Sequence, residues 1–196
     1  MLDIAILAVA REFCEHTSVW KLALTPIDTI AGQATYTLPF PEDSELTRVI
    51  DITLLGGDDS SVLLWRYDDR ERPGETIALP EPKYASELPP FSLSLEFDQI
   101  IIADDEIPEE SVVGGLTINA AMQPTPDATT LPDFLLNQYS EEIKVGVLSR
   151  MMVMNRPWRD LVLAAKYEGD YNEKMNFVAY QSAVGKTKQR LRSRKW

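Results

Sequence analysis

Eleven of the 13 prolines of this 196-residue chain lie between Pro26 and Pro126. Proline lacks an amide hydrogen and clashes with the preceding helical turn, so that stretch is closed to long helices. The flanking segments carry only Pro132 and Pro157 and read as helices. Leu2, Ala5, Ile6, Val9 and Phe13 recur at steps of three and four, which predicts a first helix ending near Thr17 or Ser18. After Leu131-Pro132-Asp133, a second stripe runs through Leu135, Tyr139, Ile143, Val147, Met151 and Met154. Asn155-Arg156-Pro157 breaks it. A third helix is expected from about Trp158, with Leu161, Ala164, Tyr167, Tyr171, Met175 and Val178 inward and Gly185 as its stop. Pro157 and Asp160 suit a helix start, and Trp158 is expected to fill the space between the two helices, with a place at a subunit interface as the other reading.

The proline-rich middle holds short β-prone runs at 34–38, 49–55, 62–67, 76–79, 92–97, 100–103 and 115–121. Turn signals such as Gly56-Gly57-Asp58-Asp59 and Arg72-Pro73-Gly74 separate them. The pattern predicts an antiparallel sandwich or small barrel and leaves the strand order open. Because the first helix can pack only on the last two, the fold class is α+β. A small helical bundle (1–24 and 132–185) carries an inserted β module (25–131) and ends in an extended arm (186–196).

The arm follows from charge. All 31 acidic residues lie at or before Glu173, and residues 174–196 hold seven of the 19 Lys and Arg. Lys186, Lys188, Arg190, Arg192 and Arg194 occupy alternate positions, which places them on one side of an extended strand, with Leu191 on the other and Lys195 and Trp196 at the end. A basic arm on an acidic body is suited to grip something negative: nucleic acid, an acidic partner or a neighbouring copy. The arm lacks the interleaved aromatics of single-strand readers, and the acidic body repels DNA.

Motifs for catalysis or metal binding are weak. The single cysteine, Cys14, and the single histidine, His16, sit two apart on a helix and point about 200° apart, without zinc or nucleophile spacing. Gly185-Lys186-Thr187 lacks the earlier glycine and the strand–loop–helix setting of a phosphate loop. The clusters at Asp58-Asp59, Asp68-Asp69-Glu71 and Asp104-Asp105-Glu106 with Glu109-Glu110 do not follow the calcium-loop pattern. They read as solvated turns, or as an acidic lining or a docking surface. No catalytic residue, cofactor or metal ligand is expected, although 31 acids leave chance carboxylate pairs open. The lone cysteine fits a reducing cytoplasm, and no apolar run is long enough to span a membrane.

The stretch Ala10-Arg11-Glu12-Phe13-Cys14-Glu15, then Trp20, then Ile30-Ala31-Gly32-Gln33-Ala34-Thr35-Tyr36-Thr37-Leu38-Pro39, resembles the start of head–tail adaptor proteins of tailed bacteriophages. Gln123-Pro124-Thr125, Leu131-Pro132-Asp133-Phe134-Leu135, Tyr139, Pro157-Trp158, Leu163-Ala164 and Tyr167 continue the resemblance in order. It implies a virion structural protein at the neck, made in the host cytoplasm, in a dodecameric ring between the portal protein and a downstream tail protein. DNA would only pass through the channel. It also implies that the arm, Lys186, Lys188, Arg190, Leu191, Arg192, Arg194, Lys195 and Trp196, binds the partner. The other readings are a neck or tail-terminator protein that does not touch the portal, and a nucleic-acid-binding module using the arm.

Overall fold

The computed structural model describes residues 2–55, 61–66, 91–94 and 98–184. The chain divides into two compact units, Met1–Val19 with Asp133–Trp196, and Trp20–Pro132. The first holds one N-terminal and two C-terminal helices, and the second is an antiparallel β unit inserted between them, so the fold is mixed α+β. The first strand of the β unit begins at Lys21, so the second unit starts at Trp20, five residues ahead of the expected 25.

In the helical unit, α1 spans Leu2–Thr17, α2 Asp133–Val153 and α3 Leu161–Val184. The inward face of α1 is Ala5, Val9, Ala10, Phe13 and Cys14, close to the periodic set read from sequence. Phe13 meets Tyr139 with ring centroids 5.2 Å apart, tilted by 51°. Tyr139 itself has non-helical backbone angles and marks a kink in α2. Gly146 lies where Val9 and Tyr171 converge: a methyl group there would stand 2.7 Å from Val9 Cγ1 and 2.9 Å from Tyr171 Cε2. The three helices can approach this closely only because residue 146 has no side chain.

Pairing along the bundle fixes its direction. Tyr171 OH donates to Val9 O at 3.3 Å, His16 Nε2 lies 3.0 Å from Asn176 Oδ1, and Ser182 Oγ donates to Ser18 O at 3.0 Å. Therefore α1 and α3 run parallel, with α2 antiparallel to both. The chain leaves the bundle after Val19, re-enters at Asp133 and finishes α3 at one common end. The opposite end is the corner between α2 and α3.

That corner corrects two expectations. Asp160, rather than Pro157 or Trp158, starts α3: its Oδ1 accepts the amides of Val162 (3.0 Å) and Leu163 (2.9 Å). A carboxylate satisfies the orphan amides of a first turn better than an aromatic residue can. Trp158 is consequently left in the turn, 50% exposed, instead of filling the interhelical space. Leu161, expected in the inward stripe, is also exposed, whereas Ala164, Tyr171, Met175 and Val178 are buried as expected.

In the β unit, β1 (Lys21–Ala23), β2 (Ile27–Thr29), β4 (Ser44–Leu55), β5 (Ser61–Arg66) and β8 (Val112–Pro124) form one sheet. β3 (Thr35–Thr37), β6 (Phe91–Leu93) and β7 (Gln99–Ile102) form a second, in the order β3-β7-β6. In the larger sheet, β8 is central. It pairs with β4 on one side, from Ser44↔Pro124 to Leu54↔Leu116, and with β1 and β2 in succession on the other. Thr25-Pro26 interrupts that second partner, in keeping with proline's lack of a ladder donor. Every described pairing is antiparallel. Leu46, Val49, Ile52, Leu116, Ile118, Ala120 and Met122 pack with Tyr36, Leu38, Ile100 and Ile102 in one core. The expected strand at 76–79 lies outside the described residues, as do residue 67 and residues 95–97 of two others.

Candidate interaction surfaces

The two residues that most resemble catalytic groups are held apart. Cys14 is fully buried on the inner face of α1, and burial pushes its thiol up to about 12. At neutral pH such a thiol is protonated and a poor nucleophile. His16 is on the exposed face, beside Asn176. Among the described residues, no group of three or more His, Cys, Asp or Glu is placed to hold a metal ion.

A shallow cavity of about 190 Å³ in the helical unit is lined by Glu12, Ser149, Arg150, Glu168, Tyr171 and Asn172. Arg150 Nη2 donates to Glu12 Oε2, tying α2 to α1. Both side chains are more than a third exposed, so this pair contributes no more than about 1 kcal/mol. Burial, with Glu12 adding to it, raises the Tyr171 phenol above its ordinary value, so Tyr171 stays neutral and spends its hydroxyl on Val9 O. Of its lining groups, Arg150, Glu12 and Tyr171 are engaged between helices, and Ser149 Oγ donates to Gly146 O within α2.

The exposed apolar residues are a stronger signal. At the α2–α3 corner, Val153, Trp158, Leu161 and Val162 are exposed, Val162 by 83%. The turn that presents them is pinned by Asp160 N donating to Met152 O (3.1 Å), Arg156 N to Met154 O (2.8 Å) and Arg159 N to Arg156 O (3.0 Å). Arg156 and Arg159 are exposed among them. A second apolar group lies on the β unit, where residues 28–32 run beside 108–114. Ile30 is 53% exposed and Val113 88%. Gly32 N donates to Pro108 O at 2.9 Å, Ala31 N to Ser111 Oγ at 3.0 Å, and Gly114 N to Asp28 Oδ1 at 2.7 Å. Gly114 adopts φ +64, a left-handed conformation that favours glycine, and this turns β8 toward the rim. Asp28, Glu109 and Glu110 are exposed around it.

A third feature is a clasp. Asp43, itself at φ 57, accepts hydrogen bonds on Oδ2 from the amides and hydroxyls of Thr129 and Thr130. Thr125 N donates to Asp43 O at 3.1 Å. The Thr129 amide is the chief cause that lowers the Asp43 carboxyl below its usual range. No sequence signal links residues 43 and 129, because the clasp depends on the β4–β8 pairing.

The arm residues expected to bind a partner, Lys186, Lys188, Arg190, Leu191, Arg192, Arg194, Lys195 and Trp196, lie outside the described residues. So do Asp58-Asp59 and Asp68-Asp69-Glu71. The described part of α3 ends at Val184, with Phe177 and Tyr180 exposed in its last two turns. No known family model matches this chain, and no curated protein matches it.

Proposed function

We propose that this chain is a virion structural protein, a head–tail adaptor that assembles as a ring between portal and tail. The observation that carries the reading is the order of its parts. An N-terminal helix packs with two C-terminal helices, an antiparallel β unit is inserted between them in the chain, and the basic segment follows the third helix in sequence. That is the layout implied by the resemblance of the 10–39 and 123–167 stretches to phage adaptors. The exposed apolar corner and rim suit a protein whose work is contact with other subunits.

Assembly, not bond chemistry, is the function in this reading. The arm reaches the portal protein, adding as a strand or lying in a groove, with Trp196 as an anchor. Subunit contacts can each be weak, because closure of a ring multiplies them. The isolated chain is monomeric at micromolar concentration, and the portal templates the ring. Among the described residues, no helix is long and apolar enough to cross a membrane. Removal of residues 186–196 tests the reading: the body stays folded by circular dichroism but no longer co-sediments with the portal. Equal docking by the shortened and intact chains would reject the arm's role.

A further inference from the structure

The two exposed apolar patches carry opposite charge. The α2–α3 corner sets Trp158, Leu161 and Val162 beside Arg156 and Arg159. The β-unit rim sets Ile30 and Val113 beside Asp28, Glu109 and Glu110. The β unit as a whole, residues 20–132, has 21 acidic and six basic residues. Asp160 is the acid inside the corner; its carboxylate accepts the Val162 and Leu163 amides, and with Arg156 and Arg159 it leaves these three side chains at a net charge of +1. Interfaces combine an apolar centre, in which tryptophan is favoured, with charges that set the register.

We infer that the corner of one copy docks on the rim of a second copy, a head-to-tail contact that would repeat around the ring. The occupant of each patch is thus another copy of this chain. Charge selects this arrangement over corner on corner, which would bring four arginines together, and over rim on rim, which would bring six acids together. A contact between unlike surfaces leaves the pair with one free corner and one free rim. Such a contact propagates into a ring or a filament, whereas a two-fold contact stops at a dimer. This inference rests on the adaptor reading for its ring and supplies that ring with a named contact, one that does not involve the basic arm.

Charge exchange provides the test. The intact chain is compared by sedimentation velocity over rising concentration with Arg156→Glu/Arg159→Glu and with Glu109→Lys/Glu110→Lys. The wild type gains mass at high concentration, each variant alone stays monomeric, and an equimolar mixture of the two regains association. All the substituted residues are exposed, and circular dichroism checks that each variant is folded. A second measurement uses Val113→Cys and Trp158→Cys under mild oxidation, with buried Cys14 as a silent background. The double variant forms a ladder of linked oligomers, and neither single variant forms linked dimers. The inference is overturned by no association at any concentration, by a mixture that fails to regain it, or by dimers from Trp158→Cys alone. Portal co-sedimentation of the same variants is scored separately. Docking on portal without the corner–rim contact rejects this inference and leaves the adaptor; the contact without portal docking does the reverse.

Discussion

Gly146 shows how one position sets the spacing of three helices. A Cβ at that site would fall 2.7 Å from Val9 and 2.9 Å from the Tyr171 ring, inside any tolerated contact. Gly146→Ala gains helix propensity but overpacks the core, and the second effect is larger, so the variant loses about 1–3 kcal/mol. Urea unfolding followed by circular dichroism measures the loss. Cys14, a few residues along α1 from Val9, gives a chemical readout of the same packing. With its thiol pushed up to about 12 by burial, it resists a thiol reagent at pH 8 in the folded protein and reacts fully once the chain is denatured. Rapid labelling of the native protein would show that α1 opens locally.

Among the elements, the helices were legible and the sheet was legible only in kind. The stripe on α1 and the inward residues of α3 repeat with the helical period over about three and about four turns, which no strand imitates. β1 and β2 escaped because each is a three-residue piece cut off by Thr25-Pro26, whereas the equally short β3 lies inside the longer β-prone run 34–38. In β4 the buried residues Leu46, Val49 and Ile52 come every third position, because irregularities at Leu46/Arg48 and Val49/Asp51 shift the faces. Trp158 was misplaced since aromatic size argues for burial, while the Asp160 cap decides where the helix starts.

The Asp43 clasp is equally invisible before the strands are paired, and it has a pH signature. Its carboxyl is held low in the folded state, first by the Thr129 amide, so its contribution is complete above the ordinary carboxylate range. As pH falls through the lowered value the carboxylate is protonated and the contribution is lost. Asp43→Asn, which keeps the tolerance for positive φ, should speed hydrogen exchange at the Thr129 and Thr130 amides at neutral pH. The difference from wild type should shrink in acid.

At the scale of the whole molecule, charge is the organising property. The 12 residues from 185 onward hold six cations and no acid, while the β unit carries a large acidic excess. On the adaptor reading proposed above, an acidic channel wall would repel DNA and favour passage over adhesion. The basic arm, read from alternate-residue spacing, lies outside the described residues; Trp158 and the Glu109-Glu110 cluster carried an interface reading in the sequence, while the apolar exposure around them did not show there. Exposure of Val113, Val162 and Trp158 depends on where turns place them, and no local pattern encodes that. The adaptor reading stands or falls on one image: the intact chain mixed with the portal protein of the same phage and viewed by electron microscopy. An added ring beneath the portal, lost on removal of residues 186–196, is the expected result. A portal that remains bare at saturating concentrations of the intact chain would contradict it.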